Sequence, residues 1–412
     1  MVASGADARM ANWRARYPIL RDLVPMARRR LPGFVADYVF GGTGAESGDA
    51  RNARALDAVE LLPEICPDIA AIDPSVTLFG STLSSPLASA PIGLDGAIWP
   101  GASEHVARAC ARAGLASMAG TLSSSSLEAM TAANPEKSWF QLYTIPGEDH
   151  RVSFDLLRRA EEAGARMAAV TVDIPLPGRR VRDMRNRLQQ PMRITPRVAL
   201  GAVSRPAWLA ATLRAGTPAC VNMSPYAGTG GIDAFMATAR AGGGLSWDVL
   251  ARLRDGFSGP MLLKGVTHPE DARKARAAGY EGVIVSNHGG RQFDCGPAAI
   301  DLLPAIRAAM GPEAPVLYDG AIWSGLDMLK AVALGADAVL AGRAFLIGIA
   351  ALGPQGAAHV CHVLTEEFRI ALGQSGAVNI EGARRLASRH PGCWRPEELE
   401  RPHDPWPEKE TS

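Results

Sequence analysis

The chain reads as an α/β protein, a closed (β/α)8 barrel of the TIM type, on a small set of observations. Short apolar runs recur eight times between residues 86 and 341. Segments whose apolar positions fall three and four apart lie between most of them, as helices facing a sheet require. Eight strand–helix repeats favour closure over an open sheet. Pattern alone leaves an open doubly wound sheet as the alternative, although the glycine-rich dinucleotide turn that usually follows its first strand is missing.

The N-terminal part, 1–85, stands outside the repeat. It holds a helical stretch, the glycine-rich turn Gly41-Gly42-Thr43-Gly44 and a few short strand-like runs. The barrel is expected over 86–373, with strands at 86–92, 116–119, 139–143, 167–173, 260–266, 282–287, 315–319 and 338–341. Helices are expected at 103–113, 126–133, 154–163, 247–257, 269–278, 298–310 and 326–334, with a last one at 356–372. Gly114, Gly164, Gly279 and Gly335 close helices as left-handed caps. Residues 374–412 form a C-terminal tail.

Between the fourth strand and its helix lies a long excursion, 174–245, with ten arginines against Asp183 and Asp233. That segment carries about +8 and the remainder about −7, within a chain of formal charge +1. Its stretch from Arg193 to Leu209 mixes basic, aliphatic and aromatic residues, which suits the surface of an anionic membrane. A solvated basic loop is the plainer alternative.

Bulk properties exclude several classes. A net charge of +1 gives no global argument for nucleic acid. No run is long and apolar enough to span a bilayer, and the N-terminus lacks the apolar core of a signal peptide. The six cysteines are scattered, so incidental thiols in a reducing cytoplasm are expected, without a zinc site or a disulfide framework.

Polar residues fall where barrel chemistry needs them, at the C-terminal ends of strands. The third strand ends in Gln141-Leu-Tyr143 and the fourth in Thr171-Val-Asp173, followed by Gly178-Arg179-Arg180. The fifth carries Lys264-Gly265, and the sixth leads into Ser286-Asn-His288-Gly-Gly-Arg291-Gln-Phe-Asp294. The seventh ends in Asp319-Gly320, the eighth in Gly342-Arg343. A lysine inside an apolar strand is costly unless it is paired with charge or aimed at a ligand. Each residue alone could serve as a cap or a core hydrogen bond; seven such strand ends together indicate a site.

This set, in this order, resembles the FMN-dependent α-hydroxy-acid oxidase and dehydrogenase family over about residues 15–390. The resemblance implies FMN as cofactor, a small 2-hydroxy-acid substrate and a homotetramer. It implies that His288 takes the substrate proton, that Asp173 holds and charges the imidazole, and that Tyr143 bonds the hydroxyl. Arg180, Arg291 and Tyr38 would hold the carboxylate, with the N-terminal segment covering the barrel mouth. Lys264 would face the flavin N1/O2 edge, while Pro91, Ile92, Gly93, Gly120, Gln141, Thr171 and Ser286 contact the ring. Asp319, Gly320, Ala321, Trp323, Gly342 and Arg343 correspond to the phosphate cradle.

Some positions depart from the family. Trp323 stands where Asp-x-Gly-x-Arg has its phosphate-binding arginine, which implies weaker FMN retention or compensation by another basic residue. Gly120 replaces a common serine. The segment Pro91-Ile-Gly93-Leu-Asp-Gly-Ala-Ile-Trp-Pro100 resembles the mandelate branch. There, Gly93 replaces the alanine of soluble oxidases and Leu122 replaces a tryptophan, so a wide, apolar substrate pocket is expected. The basic excursion matches the membrane-anchoring segment of the dehydrogenases, which implies a peripheral location on the inner face of the cell membrane and electron transfer to quinone. An oxidase releasing peroxide, or an enzyme modifying a peptide- or carrier-bound hydroxy acid, are the alternatives.

Overall fold

A computed structural model describes residues 5–186 and 195–399. Eight strands form a closed parallel barrel. They are β1 (Leu87–Ser89), β2 (Ala116–Gly120), β3 (Ser138–Leu142), β4 (Ala168–Thr171), β5 (Met261–Val266), β6 (Gly282–Val285), β7 (Val316–Asp319) and β8 (Ala338–Ala341). Each strand pairs with the next in sequence, and β8 returns to β1 through Val339 opposite Leu87. All eight are buried along their length, as strands covered on both faces must be.

Side chains alternate between the two faces of a strand. One set, including Met118, Trp139, Ala169, Leu262, Ile284 and Leu317, packs inside the barrel. Their neighbours Ala119, Phe140, Val170, Leu263, Val285 and Tyr318 pack outward against the helices. Two residues beyond the inner set, in register with it, lie Gly120, Gln141, Thr171, Lys264, Ser286 and Asp319. The period of two therefore delivers polar groups to the interior at the C-terminal end. At the opposite end, the hairpin Val76–Leu78/Ser81–Leu83 joins the inner core, and Phe79 meets Trp139 edge to face at 5.4 Å.

Several expectations needed revision. The eighth strand is followed at once by a helix, Arg343–Leu352, ahead of Gly356–Ser375. Its sequence, Ala-Phe-Leu-Ile-Gly-Ile-Ala-Ala, is apolar on every side and buried throughout, so no amphipathic period betrays it. The excursion carries regular structure of its own. It contains helices Val181–Arg185, Pro196–Val203, Pro206–Ala215 and Gly231–Thr238, while 187–194, with Arg187 and Arg193, lies outside the described residues. Trp208 anchors the excursion: its indole N–H donates to the Ala97 carbonyl at 2.9 Å, and its ring meets Phe34 edge to face at 5.8 Å. The expected tail is also tied down as far as 399, since Ser388–Arg389 pairs antiparallel with Glu60–Leu61. Its remainder, 400–412, lies outside the described residues. No helix among those described is long and apolar enough to cross a membrane.

Candidate active site

The turn after β6 carries a histidine held in a left-handed conformation. His288 has φ +56, and Gly289 and Gly290 follow at +63 and +72. A non-glycine residue in this region costs on the order of 1–3 kcal/mol, so the surroundings must enforce it. They do. The His288 amide donates to Ser286 Oγ at 3.0 Å, and the side chains of Asn287 and Asn52 exchange hydrogen bonds at 2.7 and 2.8 Å. A Cβ on Gly290 would lie 2.4 Å from the Asp49 nitrogen, so the N-terminal helix Ser47–Asp57 packs directly on this turn.

The imidazole is gripped at both nitrogens. Nδ1 lies 3.0 Å from Asp173 Oδ1, and Nε2 lies 3.2 Å from the Tyr143 hydroxyl. Burial pushes the Asp173 carboxyl up, but His288 and Lys264 outweigh it and hold it below the usual carboxylate range. Burial drives the Tyr143 phenol well above its ordinary value, so it remains a neutral donor. Asp173 has room only because β5 bulges at Gly265, φ +102, where a Cβ would stand 2.5 Å from Asp173 Cβ. A carboxylate-bound imidazole facing a neutral phenol can accept a proton and hold the resulting charge.

Beside this pair sits a cationic pocket. The Arg291 guanidinium lies over the Tyr38 ring at 5.4 Å from its centroid and donates to the Gly41 carbonyl. Burial, and then the nearby Arg180, push Arg291 down to about 10, which leaves it charged at neutral pH. Burial raises the Tyr38 phenol, whose hydroxyl donates to the Gly93 carbonyl at 2.7 Å. Asp183, which the sequence reading passed over, belongs here too. Burial raises its carboxyl against the pull of Arg180 and Arg291, and Oδ1 is buried with no hydrogen-bond partner among the described residues. Its signal was hidden, because the short helix Val181–Arg185 lies within a segment that read as loop.

The pocket wall is built from the loops after β1 and β2. Leu94, at φ +49, donates its amide to the Leu122 carbonyl at 2.9 Å. A Cβ on Gly93 would meet Leu122 Cβ at 3.3 Å, so this glycine seats Leu122 as well as leaving space. The buried Asp95 clamps the two loops together, accepting from the Ser103 and Ser124 amides and from Ser123 Oγ at 2.7–2.9 Å. Gly120 has a packing reason: a Cβ there would lie 3.1 Å from the Ile92 carbonyl oxygen.

Deeper in the barrel mouth, Lys264 pairs with Asp319 at 2.6 Å and donates to Ser286 Oγ at 3.0 Å. Burial lowers the Lys264 pKa, but Asp319 and Asp173 more than reverse this and raise it. Asp319 thus holds Lys264 and Ser286, the latter at 2.5 Å, rather than pointing to a phosphate as its place in the cradle suggested. The Gln141 amide donates to Thr171 Oγ1 at 2.8 Å, and both side chains are buried. An ammonium, an amide and hydroxyls along one interior edge suit a flat heterocycle edged with N–H and C=O groups. The helix Arg343–Leu352, with Gly342 as its N-cap and Arg343 at its head, suits a phosphate. The donor set therefore fits FMN.

The phosphate end fits less comfortably. Ala321 occupies the family's glycine position at φ +56. The amides of Trp323 and Ser324 are taken by Asp327 Oδ2, each at 2.9 Å. Arg343 is paired with Asp49 at 2.6 Å.

Residues 27–389 match the FMN-dependent dehydrogenase family. The chain belongs to that family. As a member it is an oxidoreductase acting on a CH–OH group, in a family of 2-hydroxy-acid dehydrogenases and oxidases that use FMN. It is 38% identical to L-lactate dehydrogenase of Caulobacter vibrioides over 90% of this chain and 97% of the relative. It is 39% identical to 4-hydroxymandelate oxidase of Amycolatopsis orientalis, over 90% and 98%. Among solved structures, the monotopic membrane protein (S)-mandelate dehydrogenase superposes with a TM-score of 0.84 at 32% identity, covering 90% of this chain and 99% of that one. Mandelate oxidase gives 0.78 at 37%, covering 91% and 99%.

Proposed function

We propose that this family member oxidises an (S)-2-hydroxy acid with a bulky, mandelate-like side group to the 2-oxo acid and passes the electrons to a membrane quinone. The observation that carries the chemistry is His288 held between Asp173 and Tyr143 beside two partly buried arginines, Arg180 and Arg291. In this reading Arg180 and Arg291, with Tyr38, hold the substrate carboxylate as charge-assisted pairs. Tyr143 donates to the substrate hydroxyl, and His288 Nε2 takes the hydroxyl proton. Asp173, already ionised, stabilises the imidazolium that forms. Bound FMN supplies the two-electron acceptor, and Lys264 places a positive charge on the interior edge where it binds. Gly93, Leu122 and Tyr38 form the wall that admits the side group.

Two further observations support the membrane acceptor. The helices Pro196–Val203 and Pro206–Ala215 expose Leu200, Val203 and Leu213, between 65% and 74% accessible, alongside Arg197 and Arg214. Apolar side chains flanked by arginines suit an anionic bilayer surface. The likeness to a monotopic mandelate dehydrogenase favours the same reading. The likeness to a 4-hydroxymandelate oxidase favours oxygen as acceptor instead. One experiment separates them: anaerobic reduction of the FMN-loaded enzyme with S- and R-mandelate, lactate and glycolate, followed by oxygen or a soluble quinone. We expect S-mandelate to bleach the flavin fastest, and reoxidation to be slow in oxygen and fast with quinone. Rapid reoxidation by oxygen would make the protein an oxidase. Bleaching by no free 2-hydroxy acid would overturn the substrate assignment and favour a peptide- or carrier-bound one.

A further inference from the structure

The phosphate end of the cofactor site has an unusual charge balance. The loop after β7 reads Asp319-Gly-Ala-Ile-Trp323-Ser324, with no cation of its own. Arg343, at the head of the helix after β8, faces the opposite loop: its Nη2 donates to the Gly289 carbonyl at 3.3 Å and pairs with Asp49 Oδ1 at 2.6 Å. The Arg343 side chain is 16% exposed and that of Asp49 38%, so the pair is only partly screened by water. Asp49 has little freedom to withdraw, because it sits in the first turn of Ser47–Asp57, whose backbone packs against Gly290. Another cation near this end, Arg21, is exposed and lies over the Trp323 ring at 5.9 Å, sharing its charge with water and an aromatic face.

We infer that Asp49 is an affinity-setting residue of the cofactor site: it neutralises Arg343 and opposes the cofactor phosphate. The cradle then offers a dianion mostly helix-terminal and backbone N–H groups, and the phosphate adds little to binding. The inference rests on the flavin site proposed above, so its test must read the ring and the phosphate separately.

The test uses full-length protein stripped of flavin and titrated with FMN and with riboflavin, which lacks the phosphate; quenching of flavin fluorescence gives both dissociation constants. For the wild type, FMN should bind no more than about tenfold more tightly than riboflavin, since only a partly screened arginine distinguishes them. Asp49→Asn should tighten FMN roughly three- to tenfold and leave riboflavin unchanged, the latter also reporting that the site still folds. Arg343→Gln in the Asp49→Asn background should remove that gain. An unchanged or weakened FMN affinity in Asp49→Asn, with riboflavin still bound, would overturn the role of Asp49 alone and make it a positioning partner of Arg343. Failure of the wild type to bind either flavin would overturn the site reading together with this inference.

Discussion

The wall around His288 and the loop after β7 lie at the same end of one barrel, yet they treat the family pattern in opposite ways. Around His288 both imidazole nitrogens have partners brought in by other strands, Asp173 and Tyr143, and the strained φ of +56 is enforced by Asn287, Asn52 and the helix carrying Asp49. In the β7 loop a similar φ, +56 at Ala321, occurs where a glycine would be free of strain, and an indole stands in place of a guanidinium. One region holds strain at the residue proposed as base; the other carries it with no visible gain. On the function proposed above, proton handling should tolerate little change in this chain, whereas cofactor retention has room to drift.

The largest expected effect tests the first region. His288→Gln should still bind FMN but reduce it with substrate roughly 10²- to 10⁴-fold more slowly in anaerobic stopped flow, the usual range for losing a general base. Reduction at the wild-type rate would take His288 out of the mechanism. A smaller effect is expected at the phosphate end, where Trp323→Arg should tighten FMN on the order of tenfold through a charge-assisted contact, with riboflavin as the control. No gain in FMN affinity would mean that the indole is not standing in a phosphate-binding position. The smallest concerns strain alone: Ala321→Gly should stabilise the flavin-free protein by about 1 kcal/mol, read as a modest rise in melting temperature. A fall in melting temperature would show that the left-handed turn costs nothing with alanine and that glycine only loosens the unfolded chain.

Much of the site was legible because it obeys a simple period. Gln141, Thr171, Lys264, Ser286 and Asp319 each follow an inward apolar residue by two, so strand recognition alone places them at the mouth. His288 and Asp173 lie beyond the ends of β6 and β4, His288 in a left-handed turn, so their place at the mouth follows from the strand ends rather than from alternation. What escaped depends on contacts distant in sequence. Asp49 reaches Arg343 across nearly three hundred residues, and Asp95 meets Ser123 and Ser124 only after the first two loops fold together. Asp319 read as part of the phosphate cradle because it precedes Gly320, but inward alternation points its side chain at Lys264. The helix Arg343–Leu352 escaped for the opposite reason, since complete burial erases the polar stripe that periodicity needs.

The hairpin beneath the barrel has a consequence for traffic. With Phe79 seated on Trp139 and the inner core filled above it, the floor is closed, and small molecules must enter and leave by the end where β4 hands over to the arginine-rich excursion. In the reaction proposed above, hydroxy acid, keto acid and a small electron acceptor would therefore share one doorway. Steady-state kinetics should then alternate between the two half-reactions, each visitor clearing the threshold before the next arrives.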